Sequence, residues 1–334
     1  MEGKPKTVVL VGRTGHGKSA TCNSILGRKA FESKFCAGGV TTKTEQQSTP
    51  LEDGSIINVI DTPGLFDFHG NTEFLGNEIA KCINLANDGL HAIVLVLSIR
   101  GRFSKEEEAA VQALSSFFGP KILGYLIVIF TGGDELEADD QTLDDYLGGT
   151  DCPKPLQDTL TQCGNRQILF NNRTKIEAEK SKQRNQFLSL VNDVVKNNGG
   201  IPYTDPLFIK MQDIENQWKE GSKNASAEQM EEMKKAYEEQ QKIMIASIEA
   251  KFKETLGEVK QNMAAEQERN RIANEKLIRE LLNTKVAQAK AEAHTATLEA
   301  QLKAQKEIHD MEKQLDRLKL EAATEEAEGS CAIL

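Results

Sequence analysis

The chain has 334 residues and a net charge of -10, with 39% apolar, 28% charged and 5% aromatic residues. That apolar share supports a packed core, whereas the acidic balance excludes a nucleic-acid reader, which needs a basic face to neutralise phosphates. Cys22, Cys36, Cys82, Cys152, Cys163 and Cys331 are scattered without a C-x-x-C spacing, so they read as reduced thiols of a cytosolic protein.

The first segment, MEGKPKTVVLVG, has too short an apolar run for a signal peptide, and Gly3 is misplaced for myristoylation. No apolar run is long enough to span a bilayer. The expectation is a protein that is soluble when made.

Short apolar runs at 7–11, 56–60, 92–98, 125–130 and 167–170 alternate with helical stretches such as 72–87 and 104–118. The runs are continuous and β-branched, as in strands buried on both faces of a parallel sheet. Ser104 and Glu107 form a capping-box pattern at the start of the second helix. The expected fold is α/β, with a mostly parallel central sheet and helices on both faces.

Directly after the first run comes Gly12-Arg13-Thr14-Gly15-His16-Gly17-Lys18-Ser19, followed by Ala20 in a helical stretch. This matches G-x-x-x-x-G-K-[ST] between a strand and a helix, the setting that motif requires. The glycines let backbone N–H groups turn toward phosphates, Lys18 reaches the β- and γ-phosphates, and the Ser19 hydroxyl ligates Mg²⁺. His16 lies inside the loop but is expected to face away from the chemistry.

In the following loop-like stretch, Thr41 is the candidate that closes on Mg²⁺ and the γ-phosphate. Thr42 is its rival, and an ordinary strand threonine is the plain alternative for both. At the end of the 56–60 run stands Asp61-Thr62-Pro63-Gly64. Asp61 is placed to hold the water shell of Mg²⁺, and Gly64 to offer its N–H to the γ-phosphate. Leu65 follows where many GTPases carry a water-orienting Gln, so intrinsic hydrolysis should be slow.

The run ending at 130 leads into Thr131-Gly132-Gly133-Asp134, where common GTPases have Asn-Lys-x-Asp. The Asp134 carboxylate can accept from guanine N1 and N2, donors that adenine lacks. Thr131 replaces the Asn, and no Lys lies over the base. Asn171 and Asn172, after the next run, are placed to support the base.

With these motifs in order, residues 1–208 resemble the plant branch of the immunity-associated nucleotide-binding GTPases, relatives of the GIMAP proteins and, more distantly, of Toc import receptors and septins. The resemblance is carried by GRTGHGKSATCNSILG, DTPGLFD, TGGDELE and RQILFNNRTK, and by a box at 97–108. It implies GTP and GDP binding, Mg²⁺ dependence, G-domain homodimerisation, attachment to internal membranes, and a role in defence or stress signalling. Arg102 of the box resembles an arginine that reaches across such a dimer to the partner's phosphates, which can add ~10³–10⁵ in rate. The alternative is a surface residue before a helix cap. Three functions stand on these residues: a dimer-stimulated GTPase switch, a GTP-binding scaffold with negligible turnover, and a mainly structural helical protein with a vestigial G domain, against which the intact Lys18, Ser19, Asp61 and Asp134 argue.

From 209 to 328 glycine and proline nearly vanish, and Glu, Lys, Gln and Ala dominate. Ile245, Ile248, Phe252, Leu256, Val259 and Met263 recur three or four apart, and the pattern resumes from Leu298 to Leu318 with register slips. This predicts a long helix or helix pair of weak coiled-coil character, either packed back on the G domain or binding itself or a partner. The segment 329–334 is expected to be a flexible tail. Its Cys331-Ala332-Ile333-Leu334 fits C-a-a-X with a geranylgeranyl preference, implying membrane association on the cytosolic face of endomembranes or the plasma membrane. Residues 321–330 carry four Glu and no basic residue, so the usual second membrane signal is missing.

Overall fold

The computed structural model describes residues 5–34, 41–65, 72–86, 88–149, 152–223 and 226–331. Cys36, residues Phe66 and Asp67 of the DTPGLFD motif, and the last three residues of the C-a-a-X match lie outside the described residues.

The apolar runs become β1 (Lys6–Val11), β3 (Ile56–Asp61), β4 (Ala92–Ser98), β5 (Leu126–Thr131) and β6 (Gln167–Phe170), with β2 (Glu45–Pro50) as an addition. The sheet order is β2-β3-β1-β4-β5-β6. All neighbours are parallel except β2, which runs antiparallel to β3 with Glu45 opposite Asp61 and Pro50 opposite Ile56. β2 has the sequence EQQSTP and was not among the expected strands. As an edge strand it pairs on one side only, so it needs neither apolar alternation nor a second ladder.

The helices are α1 (Lys18–Leu26), α2 (Thr72–Leu85), α3 (Lys105–Phe118), α4 (Gly133–Ala138), α5 (Leu143–Gly148), α6 (Lys154–Gln162), α7 (Glu177–Asn197), α8 (Pro206–Ser222) and α9 (Ala227–Cys331). Ser104 caps α3, and the reciprocal bonds with Glu107 form the expected capping box. α1 packs with α7, α2 with α8, and α3 with α6.

The chain divides into two units, residues 1–263 and 264–334. The expected boundary at residue 208 therefore falls inside the first unit. The reason is the apolar stripe of α9. Met244, Ile248, Phe252, Leu256 and Val259 are buried in the same core as the sheet. Phe252 meets Phe117 of α3 edge-on, with ring centroids 6.0 Å apart. Gly76 of α2 lets α9 approach closely: a Cβ there would lie 3.2 Å from the Glu249 Cα. The packed-back alternative thus holds for the first part of α9.

The second unit is described through the rest of α9. Leu298, Leu302, Ile308, Met311, Leu315 and Leu318 are all exposed there. The helix runs through Gly329 and Ser330 to Cys331, where a flexible tail was expected. Among the described residues, no helix is long and apolar enough to cross a membrane.

Candidate functional site

The C-terminal ends of β1, β3, β4 and β5 converge on a cavity of 460 Å³. Ligands of open α/β sheets bind at these strand ends, where the chain order reverses; here that point is β1, flanked by β3 and β4. Lining it are Thr14, Gly15, His16, Gly17, Lys18, Ser19 and Ala20 from the loop and the first turn of α1.

Three glycines shape that loop through positive φ: Gly12 at 138°, Gly15 at 87° and Gly17 at 89°. Gly12 is also sterically fixed, because a Cβ would lie 2.5 Å from the Val96 carbonyl oxygen. Gly17 caps α1, so the positive end of the helix faces the cavity. Lys18 Nζ donates to the Gly12 and Arg13 carbonyls at 2.9 and 3.1 Å, folded over its own loop. The loop is tied to the sheet by Thr131, whose hydroxyl lies 2.8 Å from the His16 carbonyl and 3.2 Å from that of Leu97. Thr131 thus holds the loop, a role the sequence reading did not give it.

His16 contributes to the cavity wall, but its Nδ1 turns to Glu107 of α3, 3.4 Å away. Burial lowers its pKa, with Glu107 opposing and the Lys18 charge adding to the fall.

At the other end of the loop, Ser19 Oγ donates to Asp61 Oδ2 at 2.5 Å, and Thr41 Oγ1 lies 2.8 Å from Ser19 Oγ. Thr41, and not the exposed Thr42, therefore joins the cluster. Burial pushes the Asp61 carboxyl above its ordinary pKa; the Ser19 hydrogen bond and the Lys18 charge work against that. Asp61 Oδ1 is buried and has no hydrogen-bond partner. An orphaned carboxylate oxygen beside two hydroxyls is a hard-oxygen set that fits Mg²⁺. Among the described residues no three His, Cys, Asp or Glu gather to hold a metal alone. A cation here therefore needs water and phosphate oxygens as well, which is how Mg²⁺ is usually bound.

Pro63 and Gly64 line the cavity above this cluster, whereas Leu65 is buried in the core. Asp134 lines the far end, and its Oδ2 accepts from Arg173 at 3.1 Å and Arg100 at 3.4 Å. The two asparagines part company. Asn172 lines the cavity and bonds Thr21 and Ser24 of α1. Asn171 points into the protein: its Oδ1 accepts from the backbone of Arg173 and Thr174, and its Nδ2 donates to Glu137. It supports the turn and does not line the cavity. Arg102 is exposed, lies outside the cavity wall and makes no hydrogen bond or ion pair among the described residues.

The model of the AIG1 family matches residues 6–222, from β1 through α8. The chain belongs to the AIG1 family. Immune-associated nucleotide-binding protein 9 of Arabidopsis thaliana is 46% identical over 272 residues, covering 78% of this chain and 79% of the relative. Immune-associated nucleotide-binding protein 4 of the same plant is 50% identical over 238 residues, 70% of this chain and 73% of that one. Among solved structures, Toc33 from Arabidopsis thaliana in complex with GDP and Mg²⁺ aligns at 20% identity and a TM-score of 0.42, over 59% of this chain and 86% of that chain.

In this AIG1-family chain the cavity also includes residues to which the motifs assign no role: Glu32, Ser33, Lys34, Ser98, Arg100 and Arg173. Ser98 and Arg100 lie inside the 97–108 box and Arg173 inside the RQILFNNRTK segment. Only the meeting of their loops gives them a place at the site.

Proposed function

We propose that the chain is a Mg²⁺-dependent guanine-nucleotide switch whose slow GTP hydrolysis is stimulated by a second copy of itself. The observation that carries this reading is that Lys18, Ser19, Thr41 and Asp134 line one cavity, with Asp61 bonded to Ser19 behind its wall. Lys18 and the loop N–H groups would hold the phosphates, and Asp134 would accept from guanine N1 and N2. Mg²⁺, when bound, would supply charge neutralisation on the phosphate oxygens, held by Ser19 and Thr41 directly and by Asp61 through water. The name of the two relatives, immune-associated nucleotide-binding, supports the nucleotide and adds a defence-linked trigger to the proposal.

Turnover depends on what completes the site. Leu65 is buried and has no polar group for an attacking water. Arg102 is exposed and outside its own cavity, so its use requires another chain. A second reading, a GTP-binding scaffold with negligible turnover, is favoured by Leu65 alone. Hydrolysis of GTP and ATP measured across a hundredfold range of protein concentration separates the two. The switch requires specific GTPase activity that rises with concentration and falls in Lys18→Ala and Arg102→Ala. Flat turnover near zero with GTP still bound would leave the scaffold.

A further inference from the structure

The base end of the cavity has a feature that the motifs do not supply. Common guanine sites place a Lys two residues before the Asp, and this chain has Gly132. The backbone there is closed to a side chain. Gly132 has φ 96°, and a Cβ on it would lie 2.8 Å from Ile99 Cγ1. The same Cβ position lies 3.9 Å from Arg100 Cγ. The stem of Arg100 therefore runs past the point from which a lysine at 132 would start.

The head of Arg100 is held in place. Its Nη2 lies 3.4 Å from Asp134 Oδ2, and its Nε lies 2.7 Å from Glu135 Oε1. Arg173 Nη1 reaches the same Asp134 oxygen at 3.1 Å. Arg100 follows β4, Asp134 opens α4 and Arg173 follows β6, so three strand-end loops meet at one carboxylate. All three residues line the cavity and are partly exposed. Ion pairs this exposed add little stability, while ordering two arginine side chains costs entropy, so fold stability does not account for the arrangement.

We propose that Arg100 and Arg173 form a guanine clamp around Asp134, with Arg100 taking the place of the missing lysine. A guanidinium is flat and weakly hydrated and stacks on an aromatic ring, which an ammonium cannot do in the same way. Of the two arginines, one can stack while the other donates in the ring plane to guanine O6 and N7, where adenine presents an amine donor at the position of O6. Arginine and aspartate thus select the same base by opposite chemistries, one donating to O6 and N7 and the other accepting from N1 and N2. Binding the arginines to Asp134 fixes that carboxylate in the cavity wall before the base arrives. The clamp rests on the guanine-nucleotide reading above and adds the residues that hold the base.

The test is equilibrium binding of GDP, ADP and inorganic tripolyphosphate to the full chain and to Arg100→Ala, Arg100→Lys, Arg173→Ala and Lys18→Ala. Tripolyphosphate engages the loop without a base. The clamp requires Arg100→Ala to weaken GDP by about tenfold or more and to shrink the GDP-over-ADP preference, with tripolyphosphate unchanged. Arg100→Lys, which keeps the charge and the fold but loses the planar head, should recover only part of the loss. Arg173→Ala should fall in the same direction. Wild-type GDP affinity in Arg100→Ala, or equal weakening of GDP and tripolyphosphate, overturns the clamp while leaving the nucleotide reading intact. If the unaltered chain binds neither GDP nor tripolyphosphate, the nucleotide reading itself fails, and the clamp with it.

Discussion

Phe252→Ala tests whether the first part of α9 belongs to the core. Phe252 is fully buried, packs edge-on against Phe117, and lies in the middle of the stripe from Met244 to Val259. A phenylalanine buries about 150–250 Å², and at about 25 cal/mol per Å² this bounds its transfer contribution near ~5 kcal/mol. Measured Phe→Ala changes in cores run at about 3–5 kcal/mol, and in a unit of this size each kcal/mol lowers Tm by roughly 2–4 °C. The expected fall is therefore roughly 6–20 °C. Trp218 is the sole tryptophan and stacks on Tyr237 with centroids 5.2 Å apart, so its fluorescence reports how α8 and the start of α9 sit together. Thermal unfolding should be followed by that signal and by far-UV circular dichroism. Leu302→Ala is the control: Leu302 is 55% exposed, and its loss should stay within about 0.5 kcal/mol. A cost below about 1 kcal/mol for Phe252→Ala, or an equal cost for Leu302→Ala, would refute the assignment of residues 227–263 to the first unit's core.

Other outcomes follow from the site. Asp61 is held above its ordinary pKa by burial. Its contribution to stability is fully present below the ordinary carboxylate range and lost as pH rises through the raised value. Asp61→Asn should flatten that dependence in pH-resolved melts and also abolish Mg²⁺-dependent retention of nucleotide; Mg²⁺ affinity of the unaltered chain should rise with pH. Thr131→Val leaves the His16 and Leu97 carbonyls without their hydroxyl partner. It should cost about 1–3 kcal/mol in urea unfolding and speed nucleotide release in stopped-flow measurements. Gly12→Ala forces a Cβ against the Val96 carbonyl at a φ of 138°. Calorimetric titration should find nucleotide binding lost, with stability lowered by about 1–3 kcal/mol.

The sequence by itself determined what is local. Residues 12–19 are contiguous, so the glycine spacing, the lysine and the serine announce a phosphate loop before any fold is known. The continuous β-branched runs announce buried parallel strands, and Ser104 with Glu107 announces the start of α3. Each of these depends on neighbours within a few residues. Tertiary structure decided the rest. β2 is polar and became a strand only because the edge of β3 was there to pair with it. Neighbouring asparagines differ because the chain turns between them, sending Asn172 to the cavity and Asn171 into its own turn. Thr41 was separated from Thr42 by the approach of its loop to Ser19. The stripe of α9 showed that one face was apolar, yet the same three-and-four spacing covers a core face at Phe252 and an exposed face at Leu315. Periodicity gives the direction of a face and says nothing of what lies against it. Arg100, Asp134 and Arg173 are brought together by strands that end at Ser98, Thr131 and Phe170, far apart in the chain. Such contacts are set by the packing of the whole sheet, which no single window of sequence contains.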